Sequence, residues 1–542
     1  MRPEPLQPPG TDAFPFAWRD AGDASLTWEW DDMHTPVALS PLAGDYFEVI
    51  GEGFSYRYQK LEIPARALGR VWNGYAYMAF DWGVPKEEQE ATMARSMESR
   101  KAAVPLAGAY WRDRAMPELR AIYEHVDGVP VADLDPSDLA DAWEDAWRRC
   151  GRAWKIHFYA IVGPYQALDD LADVYESVVS DAPAGEALRL IHGRMAELQA
   201  VEAGVSELAA RAASEPDVAA QLRDSSAPSL RSLASLPAAE GFVTALEEFL
   251  AQHGHMGQSF DDLAQASWSE EPERLLAEVA KRIERPSSSI DARRAAVAPD
   301  AEALLSSVRE RLAGRPDDLE RFERALGFAR EVGPLTEGHN YWIDRRVQAT
   351  LRRFCMKVAR RLVDLGVMDD AADVFFLHRS EVPDLLRQPV GRHELIAARR
   401  AELDRQLALT PPRVLGQPPE EEPGGRFDGV RIESTDRDRL KGTGASAGHA
   451  RGPARVTLSP DDFARVQPGD IIVCPSSNPS WVPLFTIAAG LVTDTGGVLS
   501  HAAVVAREFG LPAVVGTGDA TSRIADGRMV ELDGATGDVR LL

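Results

Sequence analysis

The chain has 542 residues, 44% of them hydrophobic and 27% charged, which is ordinary globular material long enough for two or three domains. Its formal net charge is -25, which excludes sequence-independent binding to nucleic acid or to an anionic membrane, since both need a surplus of Lys and Arg. The same charge repels free anions, so a phosphorylated substrate needs a local basic or amide-rich pocket.

Cys150, Cys355 and Cys474 stand far apart with no CxxC spacing. No disulfide framework and no zinc site is expected, and the usage fits a reducing cytoplasm. The N-terminal "MRPEPLQPPGTDAFPF" is Pro-rich rather than apolar, unlike a signal peptide. The longest apolar run, "WVPLFTIAAGLV" (Trp481 to Val492), is shorter than the ~20 residues a membrane helix needs and contains Pro and Gly.

In chain order, residues 1–80 read as irregular. "SLTWEWDDMHTPVALSPL" (Ser25 to Leu42) reads as extended or looped, because Pro36 and Pro41 oppose helix. From about residue 85 to about 405 the pattern is helical. Leu139, Trp143, Trp147, Cys150, Trp154 and Phe158 recur at helical spacing and form one apolar face, with Pro136, Ser137 and Asp138 as its start signal. "SLRSLASLPAAEGFVTALEEFLAQHG" reads as a helix ending at Gly254. "PDAEALLSSVRERLAG" and "DDLERFERALGFAREVG" read as a helix hairpin. "YWIDRRVQATLRRFCMKVARRLVDLG" reads as a long helix stopped by Gly366. No repeat of fixed period occurs.

"LTPPRVLGQPPEEEPGGRF", from Leu409, is rich in Pro, Gly and Glu and reads as a surface linker. Beyond Lys441 come short β-branched runs: "ARVTL", "IIVC", "LVTD", "AVVG" and "MVELDG". Ser500 to Phe509 is the clearest helix among them. A helical large domain, a hinge and a small α/β domain are therefore expected.

The helix start at Ser500 carries the sharpest chemical signal. "LVTD" runs into Thr495, Gly496 and Gly497, a turn that brings backbone N–H groups close to a ligand. Ser500 is a good N-cap and puts His501 in the first turn. There the unpaired N–H groups and the helix dipole favour an anion beside the ring and oppose imidazolium. A histidine so placed suits a covalent phosphoryl carrier. Spacing alone equally allows a structural histidine at a strand–helix turn.

"GGVLSHAAVVAREFGLPAVVG" (Gly496 to Gly516) strongly resembles the phosphohistidine motif of the swivelling domain in PEP-utilising enzymes, a family that includes pyruvate phosphate dikinase, PEP synthase and rifampin phosphotransferase. The resemblance continues through "GTGASAGHARGPARV", "VQPGDIIVCPSSNPSWVPLF" and "IADGRMVELDGATGDVRLL", and so covers residues 440–542. It implies that His501 is the phosphorylated residue and that Ser500, Gly496 and Gly497 shape its site. Leu499 stands where many members have Thr. "FLAQHGHMGQSFDDLAQASWSEEPERLL", "TEGHNYWIDR" and "LGVMDDAADVFFLHRSEVPDLL" resemble the helical acceptor-binding domain of rifampin phosphotransferase-like proteins.

The implied fold is multidomain. An irregular segment 1–80 packs on a predominantly α-helical acceptor-binding domain 81–408, followed by a hinge 409–440 and a β/β/α swivelling phosphohistidine domain 441–542. No P-loop pattern GxxxxGK[ST] and no ATP-grasp segment is recognisable, and no PEP-binding barrel follows. This resembles the split arrangement of phenylphosphate synthase and related alkylphenol-phosphorylating systems. It implies a dikinase-type phosphotransferase subunit whose histidine is charged by a separate ATP-grasp subunit holding ATP and Mg2+. No metal site is expected on this chain.

A small hydroxyl acceptor, foremost a phenol with a pKa of about 10, benefits from a base. The candidates are His34, His253, His255, His339, Glu337 and Asp261, with His255 and His339 the preferred pair; each has a structural alternative, and Asp261 and Asp262 equally suit a cap. Trp28 and Trp30 either line an apolar acceptor pocket or belong to the core. Two other readings stay open: an antibiotic or another alcohol as acceptor, and an inactive small-molecule-binding or regulatory protein of the same fold.

Overall fold

The computed structural model describes residues 14–32, 34–179, 185–224, 229–257, 262–283, 301–418, 438–458, 460–477 and 481–542. The chain divides into two compact units. One comprises Met1–Gly163, Phe260–Ala266 and Trp342–Glu420; the other comprises Pro164–Ser259, Ser267–Tyr341 and Glu421–Leu542.

In the first unit, four strands form an antiparallel sheet of order β2-β3-β1-β4: β1 (Thr27–Trp30), β2 (Ala65–Trp72), β3 (Tyr75–Trp82) and β4 (Val414–Gly416). The stretch expected to be irregular thus holds three strands and a helix, Pro41–Lys60. Pro41 starts that helix rather than opposing it. It follows Ser40 in extended conformation, at a position where the missing N–H has no helical partner to lose.

Trp28 is fully buried, its ring edge-on to Trp72 at 4.9 Å, so it belongs to the core. The indole N–H of Trp30 donates to the Thr35 carbonyl. The apolar stripe of the long helix Pro136–Ala160 is buried along its whole length, from Leu139 to Phe158. The Asp135 carboxylate caps that helix by accepting from the backbone N–H groups of Ser137 and Asp138 at 2.8 and 2.9 Å.

The expected boundaries are corrected in two places. The hinge does not begin at 409, because Leu415 pairs with Trp28 in the sheet. Residues 419–437 of the expected linker lie outside the described residues. Nor is 81–408 one domain: its ends pack with the N-terminal sheet, and its middle clusters with the C-terminal sheet. The reason is packing. The stripe of Pro136–Ala160 and the buried face of Arg346–Asp364 share one core with Tyr46 and Phe47 of the Pro41 helix.

In the second unit, helices Ala196–Ser214, Pro216–Asp224, Glu240–His253 and Pro272–Ile283 close on Val201, Leu208, Phe242, Leu246 and Leu275. The single helix expected over 229–253 is broken at Pro237, which opens a 3-10 turn. Within this core the Arg282 guanidinium and the Glu202 carboxylate form a buried two-bonded ion pair, one bond at 2.9 Å.

The C-terminal part is an eight-stranded sheet of order β5-β12-β11-β7-β8-β9-β10-β6. Its strands are β5 (Arg439–Lys441), β6 (Thr443–Ser446), β7 (His449–Val456), β8 (Ile471–Cys474), β9 (Gly490–Thr493), β10 (Ala513–Val515), β11 (Met529–Asp533) and β12 (Asp538–Leu541). Strands β7 to β10 are parallel, and the flanking strands pair antiparallel. All four residues of "IIVC" are buried, with Ile472 and Cys474 in one core and Ile471 and Val473 in the other. Alternate side chains pointing to opposite, covered faces explain why the run has no polar positions. The short helix His501–Glu508 follows β9 and lies on the face that holds Ile472 and Cys474.

Candidate active site

The site is built at the turn from β9 into the His501–Glu508 helix. Gly496 has φ +108°, a conformation that favours glycine, and a Cβ there would lie 2.9 Å from the Ser500 hydroxyl oxygen. Ser500 is extended, and its Oγ accepts from the backbone N–H of Ala503, at a long 3.4 Å. The Ser500 N–H donates to the Gly497 carbonyl at 3.0 Å. Asp494, at the end of β9, accepts from the backbone N–H of Thr521 at 2.9 Å and from its hydroxyl; burial raises its pKa despite these bonds. Leu499 is buried.

His501 is held by its Nδ1 atom, which lies 2.9 Å from Oε2 of Glu337; the two side chains are only 11% and 10% exposed. A carboxylate only accepts, so the Nδ1 atom carries the proton and, in the neutral ring, the lone pair sits on Nε2. Nε2 is buried and has no hydrogen-bond partner among the described residues. Glu337 belongs to the one-and-a-half-turn helix Leu335–His339, and the same Oε2 accepts from the Asn340 side-chain amide at 3.1 Å. Two charged side chains of the histidine helix, Arg507 and Glu508, complete the surroundings. The Arg507 guanidinium donates to the carbonyls of Val498 (2.6 Å) and Ala445 (3.0 Å), tying the loop before His501 to β6; burial pulls its pKa down to about 10. Glu508 is 2% exposed and accepts from the Gly193 N–H and the Gln199 side-chain amide.

Of the residues named from sequence, the structure brings together His501, Ser500, Gly496, Gly497 and Glu337. The His339 Nδ1–H donates to the Leu335 carbonyl, 2.7 Å away, in its own helix. The His255 ring packs edge-on to Tyr341 at 4.5 Å, and His253 Nδ1 lies 2.9 Å from the Tyr341 hydroxyl, which donates to the Gln252 carbonyl. Burial lowers the pKa of His253. His34 belongs to the first unit and is bound to Asp31 at 2.7 Å. Asp261 lies outside the described residues; Asp262 caps the next turn at the Ala264 N–H. The contacts of Arg507 and Glu508 were not anticipated. Their signal was two charges at the end of a helix otherwise built of small apolar residues for tight packing.

Residues 466–537 match the family model described as "PEP-utilising enzyme, mobile domain". Residues 167–337 match the model described as "Rifampicin phosphotransferase fourth domain". The chain carries a PEP-utilising mobile domain and a rifampicin-phosphotransferase-like region. His501 lies in the first of these matches, and Glu337 is the last residue of the second.

The chain is 31% identical over 554 aligned positions to chondramide synthase cmdD of Chondromyces crocatus, covering 98% of this chain and 14% of that protein. It is 27% identical over 529 positions to the uncharacterized phosphotransferase YvkC of Bacillus subtilis, covering 96% of this chain and 62% of that protein. It is 32% identical over 317 positions to a rifampicin phosphotransferase of Streptomyces sviceus, covering 58% of this chain and 36% of that protein. The chain therefore spans between 14% and 62% of the length of these relatives. Among the described residues, no helix is long and apolar enough to cross a membrane.

Proposed function

We propose that this chain is a phosphotransferase component in which His501 carries a phosphoryl group from a nucleotide-bound donor to a hydroxyl acceptor. The observation that carries this reading is the 2.9 Å contact between His501 Nδ1 and Glu337. It fixes the tautomer that leaves Nε2 nucleophilic, and it joins the two segments that match phosphotransferase-family models.

In the loading step the Nε2 lone pair attacks phosphorus in line, and the bond from phosphorus to the nucleotide's leaving oxygen breaks. In the second step the acceptor oxygen attacks the phosphohistidine, the P–N bond breaks, and its electron pair returns to Nε2. The acceptor's proton passes to a base. Glu337 lies on the Nδ1 side of the ring, away from Nε2, so it holds the imidazole and its charge favours the cationic ring formed when Nε2 bonds phosphorus, while the acceptor's proton goes to another base.

Nε2 is inaccessible in this conformation, so loading requires the mobile domain to leave its present position. That supports a domain that shuttles between a donor and an acceptor pocket. The donor we infer is a separate ATP-grasp subunit holding ATP and Mg2+, with no residue of this chain assigned to either. The acceptor class we infer is a small hydroxyl compound, with phenols first; the rifampicin-phosphotransferase match over 167–337 makes a rifamycin the second acceptor to examine.

The test is incubation of the chain with radiolabelled ATP and the ATP-grasp protein encoded nearest to it. Acid-labile, alkali-stable label that disappears in His501→Ala supports the reading, and a panel of phenols and rifamycins then identifies the compound that discharges it. Label retained in His501→Ala overturns it.

A further inference from the structure

The His501–Glu508 helix is held at both ends by the helical segment it faces. At its start, His501 meets Glu337. At its end, Glu508 has a 2% exposed side chain, although a lone carboxylate is among the costliest groups to take out of water. Among the described residues, its compensation comes from across the chain. Oε2 accepts from the Gly193 backbone N–H at 3.0 Å, Oε1 accepts from the Gln199 side-chain amide, and His192 Nδ1 lies 3.9 Å from Oε2.

The surrounding fit is close. Gly185 has φ +75°, and a Cβ there would come within 3.1 Å of the Val498 side chain. Leu198 packs onto the core beneath the histidine helix. Residues 185–199 thus form a complementary seat: a glycine where Val498 approaches, an apolar side chain under the helix, and two N–H donors for one carboxylate.

We propose that Glu508 is a positioning residue that latches the mobile domain in the docked position that sets His501 against Glu337, and that its release precedes loading of His501. This rests on the reading of His501 as a phosphoryl carrier. The chemistry suits a reversible latch. Docked, the carboxylate exchanges water for two N–H donors. Undocked, the carboxylate, the Gly193 N–H and the Gln199 amide all return to water, so the net preference stays small enough to be overcome. Removing the carboxylate alone changes that balance, because the docked state then loses both hydrogen bonds, from the exposed Gly193 and the half-buried Gln199.

The experiment uses the full chain with dyes on Ala210→Cys, on the exposed side of the Ala196–Ser214 helix, and Ala535→Cys, in the exposed β11–β12 turn. The three native cysteines are buried, which leaves the introduced pair to react. Single-molecule energy transfer then reads the ratio of docked to undocked molecules. Glu508→Ala is expected to lower that ratio roughly tenfold or more. Gln199→Ala is expected to lower it less, and the double variant to lower it by less than the product of the two.

An unchanged ratio in Glu508→Ala, with wild-type melting, overturns the latch. If Glu508→Ala does not fold, Gln199→Ala decides alone, and an unchanged ratio there overturns it equally. The distances are read without ATP or acceptor. A chain whose ratio shifts but whose His501 never takes phosphate keeps the latch and loses the carrier; a chain that takes phosphate with an unmoved ratio does the reverse.

Discussion

His501 Nδ1 and Glu337 Oε2 are 2.9 Å apart and 164 positions apart in the chain. In the proposed function this carboxylate orients the imidazole through Oε2 and favours the cationic ring that forms when Nε2 bonds phosphorus. Glu337→Gln keeps an oxygen able to accept from Nδ1–H but loses the negative charge. Glu337→Ala loses both. Transfer from isolated phosphorylated protein, followed in a single turnover, is expected to fall about 10²-fold or more in Glu337→Ala. It is expected to fall by less in Glu337→Gln. Equal transfer rates in the three proteins would remove Glu337 from the chemistry.

Gly496 sets the shape of the loop that presents the ring. Replacing it with Ala places a Cβ at φ +108° and 2.9 Å from the Ser500 oxygen that caps the helix. The expected cost is about 1–3 kcal/mol of stability, with slower loading of His501. Denaturant unfolding measures the first and phosphohistidine formation the second. A variant with wild-type values for both contradicts the role given to the loop.

His253 gives the second unit a pH dependence of definite sign. Burial lowers its pKa below the usual 6.5, so the folded state binds a proton less readily than the unfolded chain. Stability is therefore unaffected by this group above about pH 6.5. It falls as the pH drops through that value, where the unfolded state takes up the proton first. Between about pH 7.5 and 5.5, His253→Gln is expected to lose less stability than the wild type, measured as the shift in urea midpoint. An equal or larger loss in the variant reverses the sign argued from burial.

The Glu202–Arg282 pair is buried inside the helical part of the second unit. Among the described residues, Glu202→Ala leaves the guanidinium in the core with a long contact to the Ser206 hydroxyl at 3.3 Å. The expected loss is about 3–5 kcal/mol, whereas replacing both partners by apolar residues of similar volume is expected to cost far less. Thermal melts of the single and double variants separate these outcomes.

The sequence made some of this architecture readable and hid the rest for physical reasons. The Leu139-to-Phe158 stripe and the strands "IIVC", "LVTD" and "AVVG" were visible because periodicity and β-branching are local signals. The Ser500 cap was visible because it uses turn chemistry tied to a single residue. The N-terminal sheet was not. β1 pairs with β4 almost 390 positions away, and no local pattern carries a pairing of that range. Pro41 was misread because the same ring that breaks a helix interior is favoured at its first turn. Glu337 was one of six candidate bases until the fold placed it on the ring; His255 and His339, preferred from their helix-end positions, have Tyr341 and a backbone carbonyl as neighbours instead.

The central claim is that the Nε2 atom of His501 accepts phosphate. The most direct measurement is mass spectrometry of the chain under basic conditions, after incubation with ATP, Mg2+ and the ATP-grasp protein encoded nearest to it. The account predicts one added phosphate, mapped to His501, labile in acid and lost in His501→Ala. A chain that binds that partner and never carries phosphate on His501, or carries it on another residue, contradicts the account.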